Sequence, residues 1–360
     1  MKIVDVACFV VDPDCPLVRV ATDEGVVGWG ECYRRAPAVS KATVEQLLRP
    51  LLLGADPFDN EVLHRRMMRL GTSVGPLGAL GPAVAGVDIA LWDIKGKALG
   101  VPIWRLLGGK ERETVTFYAS SLRRDMPPDE EARRVVSLVE AGYRAYKMHS
   151  ALPNHIDHPS DRTIETVRAI RGAVGDHIQL MVDVNGAFSV HHAIEIGRQL
   201  EDLGVFQFED PVPPEDLEGL ARVADALTIP IASGEFRFTR WDFHELIVRG
   251  RVDIVQPNVT KVGGLTELLK IAVVASTFHR PIMVHNLQPT IGTAAHLHFC
   301  AVQAAASYPQ EYNIEPVAVR DRWPILRTPI AVVNGEISVP DGPGLGIDVD
   351  EELVRRLAAG

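Results

Sequence analysis

The chain has 360 residues, 46% hydrophobic and 23% charged, the balance of an ordinary globular protein with a large core. Its 47 acidic and 37 basic side chains leave a net charge of −10, which disfavours nucleic-acid and anionic-membrane partners but not an anionic small substrate held by a local metal or lysine. Cys8, Cys15, Cys32 and Cys300 lack metal-ligand spacing and no apolar run reaches the roughly 20 residues of a membrane span, so a reduced, soluble, cytoplasmic protein is expected.

At the N-terminus, KIVDVACFVV and LVRVATDEGVVGWGECY, cornered by Asp-Pro and Asp-Glu-Gly, predict a short antiparallel meander rather than a signal peptide. Helices are expected at Ala42–Leu53, Pro57–Leu70 and Pro82–Leu99, the last stopping at Gly100. Together these make an α+β domain over residues 1–110.

From residue 111 the pattern becomes strand then helix, repeatedly. Strands are expected at Val115–Ser120, Ala145–Ser150, Ile178–Asn185, Val205–Glu209, Ile229–Glu235, Asp253–Asn258, Pro281–Asn286 and Glu311–Glu315. Amphipathic helices such as Ser160–Ala173, Val190–Leu203 and Thr266–Phe278 lie between them. The repeats predict an α/β fold, a (β/α)8-type TIM barrel over 111–317; an open doubly wound sheet would bring a glycine-rich dinucleotide fingerprint after its first strand. In the segment 318–360, Ile330–Val333 and Glu336–Val339 flank Asn334-Gly335, a hairpin signal, and this tail is expected to return to the N-terminal domain.

Asp183, Glu209 and Glu235 each close an apolar run, and they fall 26 residues apart, about one βα unit. Strand C-termini of a barrel surround one site, so the three carboxylates converge there. Oxygen-only ligands suit Mg2+ better than zinc; a solvated, salt-bridged rim is the plainer alternative. Other strand tips add Lys147 and His149, which alternation sends to the same inward side, then Asn258, His285 and Glu315. Asn185 follows Asp183 by two residues and points toward the same place. For these, a loop contact, a structural histidine or a strand cap is the ordinary reading. His296 and His298, two apart in a predicted helix, share no face and make no bidentate metal site.

Taken in order, KxH at Lys147–His149, DVN, FEDP, SGE, QPNVTKVGG, VHN and NIEP resemble the enolase superfamily, specifically its mandelate racemase-like subgroup. AGVDIALWDIKGKALGVPIWRLLGG resembles that subgroup's lead into the barrel. The resemblance spans essentially the whole chain. It implies a modified (β/α)7β barrel under an α+β cap, one Mg2+ held by Asp183, Glu209 and Glu235, and a symmetric homo-oligomer. It also implies abstraction of the proton α to a carboxylate by Lys147 or His149, with His285 and Glu315 as further catalytic groups and Asn185 and Asn258 beside the substrate. Such a proton is barely acidic; a divalent cation stabilises the ene-diolate while lysine or histidine takes the proton, the arrangement known for enolase-superfamily sites.

Two departures from the subgroup shape the expectation. His149 stands where many relatives carry a second lysine, and Asn258 where they pair the seventh-strand histidine with an aspartate. A neutral amide orients His285 without stabilising its imidazolium, which favours a general acid there. Dehydration of an aldonate or aldarate is therefore the expected reaction. A racemase, epimerase or cycloisomerase acting on a related carboxylate is the same-fold alternative, and a non-catalytic metal-stabilised scaffold the other. Substrate identity is expected in cap loops around Asp12–Pro16 and Tyr33–Pro37, where Arg34 and Arg35 read as solvated surface.

Overall fold

The computed structural model describes residues 1–11, 14–71, 78–153, 155–288 and 290–359; the start of the Asp12–Pro16 loop lies outside the described residues. Strands β1 (Ile3–Val11), β2 (Cys15–Thr22) and β3 (Val27–Glu31) form the expected antiparallel meander. Its buried face lies on the helix Leu80–Leu99, which is apolar and buried on almost every side because sheet and barrel cover it from opposite directions. Close approach requires glycine: a Cβ on Gly28 would lie 2.1 Å from the Ala90 carbonyl oxygen, and one on Gly30 1.9 Å from that of Gly86. The helix stops at Gly100, whose φ of 67° gives the left-handed cap.

The helix expected at Ala42–Leu53 begins earlier, at Pro37, and its middle, Thr43–Leu48, widens to a π-helix just before Pro50. Proline has no N–H to give and its ring crowds the preceding turn, which accounts for the widening.

The barrel strands are β4 (Thr114–Ser120), β5 (Ala145–His149), β6 (Gln179–Asp183), β7 (Gln207–Glu209), β8 (Ile231–Ser233), β9 (Ile254–Val255) and β10 (Gln310–Asn313). They are parallel in the order β10-β4-β5-β6-β7-β8-β9. Between β9 and β10 the regular ladder is open. Pro281–Asn286, expected as a strand, makes one bridge, Val255↔Ile282, and bonds from Met283 N to Val255 O (3.1 Å) and His285 N to Pro257 O (3.0 Å). Pro281 cannot donate, and the Val284 N–H is taken by the Gln310 side chain at 2.7 Å, so a full ladder cannot form. The barrel interior is apolar at Tyr118, Ala145, Met181, Ala232, Ile254 and Met283. Strand alternation places Ser120, Lys147 and Asp183 two residues beyond the first of these, and the interior turns polar at that level.

Beyond the barrel, Asn334 (φ 53°) and Gly335 (φ 79°) make the expected tight turn. The tail does not go straight to the N-terminal domain, however: β11 (Glu336–Ser338) pairs antiparallel with β4. Only afterwards does the chain reach the cap, where Leu345 N donates to Asp93 (2.9 Å) and Glu351 pairs with Arg19 (3.0 Å). No helix among the described residues is long and apolar enough to cross a membrane.

Candidate active site

Lys147 and His149 on β5, Asp183 ending β6 and Glu209 ending β7 stand side by side because His149 is in register with Asp183, and Asp183 with Glu209. Lys147 Nζ is 2.8 Å from Glu209, 2.9 Å from Glu311 and 3.6 Å from Asp183. Burial alone would discharge this ammonium, but Glu209 and Glu311 outweigh it and raise its pKa well above the usual lysine range. His149 Nδ1 donates to the Ser121 carbonyl and its Nε2 lies 2.9 Å from Asp183. Asp183 is buried, which opposes its charge, yet His149 and Lys147 hold its carboxyl far below the ordinary range.

Glu235 and His285 occupy the other side, 2.8 Å apart through His285 Nε2. Asn185 Nδ2 joins the halves, donating to Asp183 (3.1 Å) and Glu235 (3.0 Å). Asn258 lies behind His285, its Nδ2 2.9 Å from His285 Nδ1. Asn258 Oδ1 accepts from Thr260 N (2.9 Å) and Thr260 Oγ1 (2.7 Å), which fixes the amide orientation. His285 Nδ1 is therefore an acceptor, and the ring proton sits on Nε2, directed at the Glu235 carboxylate on the cavity wall.

Glu315 is not brought to this cluster. Its carboxylate accepts from Arg134 (2.8 Å), Ser121 Oγ (3.2 Å) and Leu122 N (3.3 Å). Strand β10 ends at Asn313, so the inward position is four residues earlier, at Glu311. Glu311 is completely buried, accepts from Asn286 N and Ser120 Oγ (2.7 Å each), and holds Lys147. Taking the strand's tip at Glu315, two residues past its end, hid it; the alternation in QEYN carried the signal. His296 and His298 are structural, as expected: each accepts a backbone N–H, from Val259 (2.9 Å) and Trp104 (3.3 Å).

A cavity of about 1070 Å3 opens above the cluster, with Lys147, His149, Asp183, Asn185, Glu235, His285 and Glu311 in its wall. Its roof comes from the cap loop after β3, including Tyr33, Arg34 and Arg35. Asn258 and Glu209 lie beneath this surface.

Residues 10–108 match the model of the mandelate racemase/muconate lactonizing enzyme N-terminal domain, and 130–353 that of the enolase C-terminal domain-like family. The chain belongs to the mandelate racemase/muconate lactonizing enzyme family of the enolase superfamily. Among its relatives in the family, the D-galactarolactone cycloisomerase of Agrobacterium fabrum is 36% identical, over 94% of this chain and 89% of that protein. The arabinonate dehydratase of Saccharolobus solfataricus is 35% identical, over 92% and 87%. A mandelate racemase/muconate lactonizing protein from Paracoccus denitrificans, solved in complex with magnesium, superposes with a TM-score of 0.92 at 34% identity, covering 99% of this chain and 96% of that one.

The family's metal chemistry fits the residues present. Asp183, Glu209 and Asp210 bring carboxylate oxygens within 4.8 Å of one another, an all-oxygen set suited to a hard divalent cation. Asp210 Oδ2 is buried with no hydrogen-bond partner among the described residues, and burial raises both Glu209 and Asp210 well above the carboxylate range, as expected where a cation is required to offset their charge. The third carboxylate of this compact group is Asp210; Glu235, expected from the sequence, is turned to His285 and faces the cavity.

Proposed function

We propose that this protein is a Mg2+-dependent acid-sugar dehydratase, removing water from an aldonate or aldarate to give a 2-keto-3-deoxy acid. The observation that carries the reading is the pair of proton-transfer groups facing each other across one cavity, His149 with Lys147 on β5 and His285 opposite. Asp183, Glu209 and Glu235 are assigned as the Mg2+ ligands. A divalent cation held there supplies positive charge beside the substrate carboxylate as its α-proton leaves.

His149 is the base in this reading. Its Nδ1 proton is held by the Ser121 carbonyl, so Nε2 is the atom that takes the α-proton. Lys147, ringed by Glu209, Glu311 and Asp183, stays an ammonium and acts through its charge. The electron pair of the C2–H bond forms the C2=C3 double bond as the C3–O bond breaks. His285 Nε2 gives its proton to the departing hydroxyl, which leaves as water, and the resulting enol tautomerises to the keto acid. The tautomer fixed by Asn258 supports this role, because it gives His285 a proton on Nε2 to donate and sets a neutral amide rather than a carboxylate against Nδ1. Asn185 orients the substrate from the floor of the cavity.

Cycloisomerisation of a sugar-acid lactone is the second reading, supported by likeness to the D-galactarolactone cycloisomerase. Proton NMR of the Mg2+-loaded enzyme in D2O with aldonates, aldarates and their lactones separates the two. A metal-dependent 2-keto-3-deoxy product is expected from the open acids; deuteration at C2 with every hydroxyl retained would exclude dehydration. Mg2+ titration followed by melting temperature tests the ligands: Glu209→Gln and Glu235→Gln should abolish the metal-induced rise. If Asp210→Asn abolishes it and Glu235→Gln does not, Asp210 is the third ligand instead.

A further inference from the structure

The cavity is charged asymmetrically. Its floor carries the strand-tip carboxylates and proton-transfer groups with Arg124 bonded to Asn185, while away from the floor stand Arg34 and Arg35 on the cap loop after β3 and Lys261 after β9, with Glu215 a further carboxylate of the wall. Arg34 is held by Asp14 at 2.6 Å. Among the described residues Arg35 has no hydrogen bond or ion pair.

Lys261 is the unusual member. It is only 7% exposed, the one hydrogen bond of its ammonium among the described residues goes to the Glu235 carbonyl oxygen, and the carboxylates that attract it, Glu235 and Asp210, act from beyond ion-pair distance. The rings of Tyr33, Phe238 and Phe236 surround the ammonium at 4.9, 5.0 and 5.3 Å. Ring faces and the distant Glu235 and Asp210 offset part of the cost of burying a cation, but burial still outweighs them, and a buried charge with no contacting counter-charge remains unfavourable. The side chain spans the seam, with Tyr33 from the cap and Phe236 and Phe238 from the barrel. Tyr33 N also donates to the Thr260 carbonyl beside it (2.9 Å).

We infer that Lys261, with Arg35 and Arg34, forms a subsite for a second carboxylate, so that the substrate is a dicarboxylic acid sugar or its monolactone rather than an aldonate. This rests on the acid-sugar reading above and narrows it. One carboxylate goes to the floor, where the α-proton is removed. The other, at the far end of the chain, pairs with the Lys261 ammonium; a terminal hydroxymethyl group would leave that ammonium without a counter-charge.

The test is calorimetric binding of two matched pairs, galactarate with galactonate and glucarate with gluconate, to the full-length Mg2+-loaded protein. Parent enzyme is expected to bind each diacid about tenfold or more tighter than its aldonate. Lys261→Met should weaken the diacid about 30-fold or more, the scale of removing one partner of a buried charge pair, and change the aldonate by less than about threefold. Lys261→Arg should restore part of the preference, and melting temperatures verify that both variants fold. Equal weakening of diacid and aldonate by Lys261→Met would make the lysine a structural prop and overturn the inference. Tighter binding of aldonates, with 2-keto-3-deoxy products still formed, would overturn it and leave the dehydratase reading standing. Diacids bound through Lys261 but never exchanged at C2 would do the reverse, and no binding of any diacid would remove the subsite.

Discussion

Asn258 sets the protonation of the histidine beside it. With Oδ1 saturated by Thr260, its amide offers His285 a donor where a carboxylate would offer an acceptor. Asn258→Asp should therefore reverse the tautomer and stabilise the imidazolium, moving the His285 limb of the pH–rate profile up by about 1 unit or more. An unchanged profile would show that the amide does not control this histidine. Glu311 and Glu315 make a paired comparison. Glu311→Gln removes a carboxylate that holds Lys147 and is expected to lower kcat about 100-fold. Glu315→Gln changes the contacts with Arg134, Ser121 Oγ and Leu122 N, away from Lys147, and should leave kcat within about threefold. Steady-state rates for the two variants check this, and equal losses would contradict the assignment of Glu311. At this scale the tips Lys147, His149, Asp183, Glu235 and His285 were legible, because each follows an apolar run whose alternation sets its direction. Glu311 was not, because a strand end placed two residues too late, at Glu315, exchanges one glutamate for another.

Elements were legible where one periodicity dominates and less so where neighbours decide. The helix Leu80–Leu99 was foreseen within two residues, since an apolar run ending at glycine has few alternatives. Pro281–Asn286 reads as a strand but has no full ladder, because Pro281 has no N–H to give on the β9 side and the Gln310 side chain takes the Val284 N–H on the β10 side. The cap sheet and Leu80–Leu99 touch through glycines, a requirement that no local propensity states. Gly30→Ala should destabilise the protein by about 1–3 kcal/mol in urea denaturation, because its Cβ meets the Gly86 carbonyl oxygen and one element must move. A change under about 0.5 kcal/mol would mean that the sheet slides freely on this helix.

For the whole molecule, the cap and barrel are joined by buried polar contacts as well as by apolar packing. Glu31, at the end of β3, reaches across to accept from Thr290 Oγ1 and Gly292 N, both at 2.7 Å. Burial pushes its pKa up to about 7, against the pull of the Gly292 N–H and the Thr290 hydroxyl. A pKa raised from 4.5 to about 7 means that the folded protein binds the proton more tightly; the contribution is complete below pH 4.5 and is lost as pH rises through 7. Buried His64, lowered to about 4, acts with the opposite sign, its contribution disappearing as pH falls from 6.5 through 4. The difference between parent and Glu31→Gln cancels the histidine. Melting temperatures from pH 4.5 to 8 should show the variant gaining on the parent as pH rises, and a constant gap would show that Glu31 does not titrate in this range.

Sequence alone determined the βα repeat, the antiparallel cap, the family and the convergence of Asp183, Glu209 and Glu235 on one end of a barrel. These follow from local periodicity and from spacing along the chain, which depend only on near neighbours. Tertiary structure alone decided that Asp210 joins the compact carboxylate group, that Glu311 rather than Glu315 meets Lys147, and that the tail pairs with β4 before reaching the cap. It also placed Lys261 among aromatic rings from both domains, with no carboxylate among the described residues within ion-pair distance. Each of these depends on strand register and on which surfaces meet across the seam, distances set by residues far apart in the chain.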